Sequence, residues 1–515
     1  MSTHKSLAKS AGVIGLGISA SRILGFVRDI IIAAIFGTSM PFQAFVVAFR
    51  IPNMLRDLVG EGAANAAFVP VLTGYAAKGP KEEFWELARA LLNAMIVILA
   101  AITVLGTVFT PAIVMIIAPG FVKDAELFRL TVTLTRWIFP YIFLVGLTAY
   151  TTGVLNSLKL FGASSLSQPL WNVIFILAAV FLCPVMKIPV TGLVIGVLAG
   201  GLLQLLMQAF PLMKMGLGIP RFDKFKHPAS SEIGKLLLPR VIGSSIYQLN
   251  VFVDTMLASL SGIVGEGAVA AIYYSNRLWM LPLAIFGTAF SQAMLPTLSE
   301  HAVKNDIGKF KETLSFSLRS VFFITIPAAV GLIVLSTPIV RALFERGSFD
   351  SYSTQITASA LLYFSIGLCS YAGTKVLVSA FYSLKDTVTP VKNAFAAFLL
   401  NAVLNVILMF PMKVGGLALA TSVASIFNFL SLFYQLRKKI GPFGGYGILV
   451  SFVRALIPGI IMAAILLWLN AALHLRPVIQ ITVVILAGMA SFFIGCLIFD
   501  VKEFKRFLRW ILKRE

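Results

Sequence analysis

The sequence predicts an all-α polytopic membrane protein, with fourteen transmembrane helices arranged as two six-helix pseudo-repeats around a central cavity plus two extra C-terminal helices. Three observations predict it. Of 515 residues, 58% are hydrophobic and only 12% charged, with a mean hydropathy of +0.93, against about 25% charged in soluble domains. Apolar segments of about 20 residues, the length that spans a bilayer core, recur with short breaks. Finally, a set of short sequence anchors recurs at nearly one spacing.

The elements follow in order. Helix 12–36 begins after Lys5 and Lys9 with a short apolar run, Gly12 to Ala20, that imitates a signal peptide. The apolar pattern resumes after Arg22 and continues to Gly37, so the run spans as one uncleaved helix. Helix 43–72 contains Pro52, Gly60 and Gly62 and is expected to bend or unwind locally, which a cavity lining tolerates. Apolar runs place the next four at 88–117, 128–155, 166–185 and 190–213. The second half repeats the series at 233–260, 267–297 (bent by Pro282), 314–340, 354–382, 390–410 and 414–436. Helices 448–471 and 478–499 stand outside the repeat.

An even number of spans puts both termini on one side of the membrane. Loops on that side carry Lys78, Lys81, Lys159, Lys309, Lys311, Lys385, Arg437, Lys438 and Lys439, among other basic residues. The opposite side has little beyond Lys123, Arg129, Lys187, Arg346, Lys413 and Arg476, so both termini are read as cytoplasmic. The net charge of +21 is thereby assigned to topology rather than to nucleic acid. The tail from Lys502 to Arg514 alternates basic residues with Phe504, Phe507, Leu508, Trp510 and Ile511, as a helix lying on an anionic leaflet would. Cys183, Cys369 and Cys496 fall in apolar runs without metal spacing and read as small buried hydrophobes.

In the repeat, Asp29, Ala33 and Gly37 answer Asp254, Ala258 and Gly262, and "FVPVLTGYA" from Phe68 answers "MLPTLSEHA" from Met294. The Ser-Leu-Lys at 157–159 answers that at 383–385, and Gly192-Leu193 with Lys214 answers Gly416-Leu417 with Lys438. Six helices per half give both halves one orientation, as in parallel-repeat transporters. The expected divisions are an N-terminal lobe, 1–224, a C-terminal lobe, 225–441, and a final pair with the basic tail, 442–515.

Arg22, Arg28, Arg56 and Arg277 lie inside spans. Each costs about 2.5–3.5 kcal/mol at mid-bilayer, on the order of 10–14 kcal/mol together, unless a wet cavity relieves them. Arg22 and Asp29 share a helix face, with Arg28 turned roughly 120° from Arg22. Arg50 and Asp57 repeat the spacing, with Arg56 beside them and Glu61 a turn further on. For Arg28 and Arg50 two readings stand, an interhelical lock on Asp29, Asp57 or Glu61 and a ligand contact. Arg22 and Arg277 have no acidic neighbour in sequence, which favours a ligand. Several guanidinium forks suit a phosphate or pyrophosphate better than a carboxylate or a drug cation.

"SRILGFVRD" at 21–29, "AFRIPNMLRDLVGEGAANAAFVPVL" at 48–72 and "YYSNRLWMLP" at 273–282 closely resemble the MurJ (MviN) lipid II flippases of the multidrug/oligosaccharidyl-lipid/polysaccharide exporter superfamily. The resemblance covers the whole chain. It implies movement of undecaprenyl-pyrophosphate-linked disaccharide-pentapeptide from the inner to the outer leaflet of a bacterial cytoplasmic membrane, for peptidoglycan synthesis. It places the pyrophosphate on Arg22, Arg28, Arg56 and Arg277, with Asp29 and Glu61 in the same substrate-binding set, and makes the extra helix pair a groove for the lipid tail. The partners implied are lipid II and membrane lipids, with a monomeric transporter. Three departures stand out. Gln43 and Asn276 replace acids common in relatives, and Met280 occupies a position acidic in some. Each makes the cavity more positive and puts an outward-side gating salt bridge in doubt.

Energy coupling has two readings. Asp254, Asn401, Asn405 and Thr421 offer oxygen ligands for Na⁺ as a coupling ion, as similar positions do in some members of the family. Alternatively the amides form interhelical hydrogen bonds, and membrane potential is another drive. No other cofactor is expected. An enzyme is disfavoured, because His4, His227, His301 and His474 all lie in loops or tails, no nucleophile sits beside a base, and no Walker motif is present. The alternatives are a flippase for another polyprenyl-linked glycan and a cation-coupled drug exporter of the same superfamily. A non-transporting scaffold is a third class, in which Arg22 and Arg277 would be dispensable.

Overall fold

The computed structural model describes residues 3–56, 68–78, 80–218 and 227–505. Among them no strand occurs, and contacts divide the chain into two units, Met1–Leu260 and Ser261–Glu515.

The first unit holds α1 (Thr3–Phe36), α2 (Met40–Arg56), α3 (Val69–Lys78), α4 (Lys81–Val108), α5 (Thr110–Ile117), α6 (Ala125–Ile138), α7 (Pro140–Ser157), α8 (Phe161–Leu177), α9 (Val190–Met215) and α10 (Pro228–Ala258). The expected first span lies within one helix, α1. The expected span 88–117 is broken into α4 and α5, whereas 128–155 lies in one continuous candidate span, Ala125–Ser157, with a turn at Phe139 between α6 and α7. Pro111 and Pro140 sit in the first turns after these points, where a missing N–H and a fixed φ start a new helix. Span 166–185 leaves α8 through a π turn, Ala178–Leu182. The contacts group α10 with the first unit through packing on α3, α4 and α5.

Apolar lipid offers no hydrophobic drive between helices, so close packing and internal hydrogen bonds hold the unit. Phe68, Leu72, Leu87, Leu91, Phe139, Tyr150 and Leu155 form its core, and the Tyr150 hydroxyl donates to the Ala88 carbonyl at 2.6 Å. Gly200 lets α9 approach α8, since a Cβ there would lie 2.9 Å from Trp171 Cδ1.

The second unit holds α11 (Ser261–Val264), α12 (Ala268–Pro282), α13 (Ala289–Val303), α14 (Ile307–Val334), α15 (Ser336–Phe344), α16 (Ser351–Ile366), α17 (Leu368–Ser383), α18 (Val388–Ile440), α19 (Gly445–Ala472) and α20 (Pro477–Ile498). A π turn, Leu283–Thr288, joins α12 to α13 after Pro282. α18 covers the expected spans 390–410 and 414–436 and is interrupted between them at Lys413, φ 53°. α19 and α20 pack on each other and on α14. Eight helical runs among the described residues are long and apolar enough to cross a membrane singly, or nine if α16 and α17, bent by 45°, count as one span.

The repeat extends to backbone angles. Lys159 and Lys385, paired by the Ser-Leu-Lys anchor, both adopt positive φ, 61° and 59°. In each case the helix end is closed by a 6→1 bond, Leu160 N–H to Leu155 carbonyl and Asp386 N–H to Phe381 carbonyl, both 2.9 Å. Asp124 and Asp350, one repeat apart, cap α6 and α16 by accepting backbone N–H groups.

The tail differs from a helix resting on the leaflet as far as it is described. Val501, Glu503 and Phe504 are buried, with Phe504 against Phe323 and Phe493 and Glu503 3.7 Å from Arg319. Phe507, Leu508, Trp510 and Ile511 lie outside the described residues. Cys183 and Cys496 are buried, Cys369 is half-buried, and all three are free thiols.

Candidate functional site

In the first unit, α1 carries Arg22 and Arg28 in opposite environments. Arg22 is exposed and has no hydrogen bond or ion pair with a described residue. Arg28 is buried. Its Nε and Nη2 donate to Asp29 Oδ1 at 3.0 and 2.7 Å, and its Nη1 donates to Asn172 Oδ1 at 3.0 Å. Asn172 Nδ2 in turn donates to the Ser21 carbonyl, 3.2 Å, and reaches Ser21 Oγ, 3.3 Å. The guanidinium also lies 5.4 and 5.5 Å from the Trp171 and Phe175 ring centres, within cation–π range. α1 and α8 are thus joined through the Asn172 amide, which accepts a guanidinium N–H of the desolvated Arg28–Asp29 pair and donates back to Ser21. The Arg28–Asp29 pair is internal to α1, and the contact from Arg28 to another helix goes to Asn172.

Arg50 and Arg56 lie on α2, both half-buried and both engaged by neighbouring groups. Asp57 and Glu61 lie outside the described residues. Gln43 is buried near the start of α2.

In the second unit, Arg277 is exposed on α12, with its guanidinium 4.9 Å from the Tyr273 ring centre and Nη2 3.4 Å from the Tyr273 hydroxyl. Buried aromatics pin the helix on either side of it: Tyr274 lies one turn earlier, beside the arginine, and Trp279 lies on the far face. Tyr274 packs on Phe344 and Phe349, while Trp279 stacks on Phe364 and meets Tyr371 edge-on. The Trp279 indole N–H donates to Asn276 Oδ1 at 2.7 Å, so the amide standing where relatives carry an acid is used inside the helix. Met280 is exposed on the Arg277 side. These anchors hold the arginine rigidly with its fork accessible, an arrangement fit to bind an anion.

Asn401 Nδ2 donates to Thr421 Oγ1 at 3.2 Å and Asn405 Nδ2 to Asn401 Oδ1 at 3.0 Å, joining the two arms of α18. Asp254 is on α10, in the first unit.

Sequence reading passed over two residues. Asn172, 144 positions from Arg28, has no local signal. Lys375, in "YAGTKVLVSAF", does: it is a lone cation in an apolar run, the property that singled out Arg22.

A family model described as lipid II flippase MurJ matches residues 32–488. The chain is 35% identical over 456 residues to the lipid II flippase MurJ of Burkholderia cenocepacia, covering 87% of each chain. It is 35% identical over 476 residues to the probable lipid II flippase MurJ of Vibrio cholerae, covering 91% of this chain and 90% of the relative. Among solved structures it is similar to a lipid II flippase MurJ in an inward closed conformation, with a TM-score of 0.80 and 27% identity over 96% of this chain and 99% of the other. An inward-facing MATE multidrug transporter, TM-score 0.69 at 14% identity over 82% and 95%, shares the fold. Motifs, fold and these similarities agree: the chain belongs to the lipid II flippase MurJ family.

Proposed function

We propose that this protein moves lipid II, the undecaprenyl-pyrophosphate-linked peptidoglycan precursor, from the inner to the outer leaflet of the bacterial inner membrane by alternating access of its two halves. A flippase makes and breaks no covalent bond, so the work is binding, shielding and release. The observation that carries the reading is Arg277, an accessible guanidinium on a helix anchored by the buried aromatics Tyr274 and Trp279. Arg22, Arg28 and Arg56 supply the cations of the first half, with Asp29 and Glu61 in the same substrate-binding set. The Asp29 and Asn172 contacts support a positioned Arg28 that contributes charge at short range.

The wider frame is a monomer of fourteen spans with both termini cytoplasmic, lobes 1–224 and 225–441, and a tail groove formed by 442–515. The basic loops and the packing of α19 and α20 on α14 support it. Na⁺ at Asp254, Asn401, Asn405 and Thr421, or membrane potential, supplies the drive.

The test uses purified full-length protein in nanodiscs. Lipid II should bind, and Arg22→Ala and Arg277→Ala should each weaken it about tenfold or more, the loss expected for one charge-assisted phosphate contact. Unchanged affinity in both variants overturns the site.

A further inference from the structure

Two adjacent tyrosines precede Arg277, in "YYSNR", and their surroundings differ. Neighbours on a helix point about 100° apart. Tyr274 turns inward, fully buried, and its ring meets Phe344 and Phe349. Tyr273 turns to the rim and is half-buried. It stands edge-on against Tyr274, with 5.5 Å between ring centres at 80°, so the buried ring supports the outer one.

Arg277 follows Tyr273 by one helical turn. Helical side chains lean towards the N-terminus, which brings the arginine back over the earlier ring. The guanidinium lies 4.9 Å from the Tyr273 ring centre, and its Nη2 donates to the Tyr273 hydroxyl at 3.4 Å. The ring face attracts the cation, and the hydroxyl sets the rotation of the planar fork. An exposed arginine otherwise spreads over many rotamers, a freedom it gives up on gripping a ligand. A fork already held in one orientation gives up less. Arg28 supplies the contrast. It too lies over aromatic rings, those of Trp171 and Phe175, but it is buried and spends its N–H groups on Asp29 and Asn172. Arg277 has the aromatic support and stays exposed.

We propose that Tyr273 is the positioning residue of the anion site, acting on a diphosphate only through the orientation it gives Arg277. The proposal rests on the pyrophosphate-binding reading above.

The test is a double-mutant cycle on the full-length protein in nanodiscs, read as the dissociation constant for undecaprenyl pyrophosphate, with thermal unfolding as the check on folding. Tyr273→Leu and Tyr273→Met, two variants so that one failing to fold leaves the other, should each weaken binding about fivefold. Tyr273→Phe keeps the ring and should recover most of that loss. In an Arg277→Ala background, itself about tenfold weaker, the aliphatic variants should change binding by less than about twofold, because the group through which Tyr273 acts is gone. A folded aliphatic variant that binds like wild type overturns the proposal, and so does an equal loss in both backgrounds. A Phe variant as weak as Leu overturns the ring's part in it. These results leave the flippase reading standing. A wild type that binds no diphosphate lipid, or an Arg277→Ala variant that binds like wild type, overturns the pyrophosphate reading and this proposal with it.

Discussion

Removing Asp29 should destabilise the protein far more than removing Arg28 and Asp29 together. The Arg28 guanidinium is 9% exposed and the Asp29 carboxylate 3%. Two guanidinium hydrogen bonds end on Asp29 Oδ1 and one on Asn172 Oδ1. Asp29→Ala strands a buried cation, at a cost of about 3–5 kcal/mol. Asn172→Ala removes one bond to a charged donor, about 1.5–3 kcal/mol. The pair Arg28→Met with Asp29→Leu leaves no charge behind and should fall within about 1 kcal/mol of wild type, since apolar replacement of a buried pair is often neutral. The assay is detergent-titrated unfolding in bicelles followed by tryptophan fluorescence, for which Trp171, 5.4 Å from the guanidinium, is a local reporter. Asp29→Ala as stable as wild type, or a double variant as unstable as the single, would refute the reasoning. Lipid II flipping by the double variant adds a second readout. If Arg28 contributes charge to the substrate, transport is lost at wild-type stability.

Further outcomes follow from single contacts. Gly367→Ala, at the bend between α16 and α17, puts a Cβ 2.8 Å from Ser422 Cα, so it should cost about 1–3 kcal/mol in the same unfolding assay. Ser422→Ala removes the hydroxyl that donates to the Tyr363 carbonyl at 2.6 Å and accepts from Gly367 N–H at 3.1 Å, and should cost about 1 kcal/mol. In the turn before α18, burial raises the pKa of Asp386, but Lys439 Nζ at 2.6 Å and the Thr389 N–H and hydroxyl outweigh it and hold the carboxyl down at about 2. Because that lies below the unfolded value of about 3.9, the stabilisation is complete above about pH 4 and is lost as pH falls towards 2. Asp386→Asn should flatten stability against pH in that window, and an unchanged acid profile would contradict the assignment.

Much of the fold was legible because apolar length and repetition are local signals. The Ser-Leu-Lys anchor anticipated even the matching left-handed lysines 159 and 385. The break before Pro111 was written in the chain, but the apolar run continues across it, and hydropathy alone merges the pieces. Arg28 with Asp29 could be read from adjacency, whereas Asn172 reaches them only through the packing of α8 on α1. Lys375 was accessible to the energetic rule applied to Arg22 and was passed over for want of a motif. Phe504 read as a membrane-facing residue, and its burial against Phe323 and Phe493 depends on tertiary contact that no periodicity encodes.

The most direct measurement replaces the essential lipid II flippase of a bacterial cell with this protein, in parallel with its Arg277→Ala variant, both quantified in the membrane. The account predicts that the wild type sustains growth and cell shape and that the variant, present at equal abundance, does not. Failure of a well-expressed wild type would contradict the substrate, and full rescue by Arg277→Ala would contradict the anion-binding mechanism.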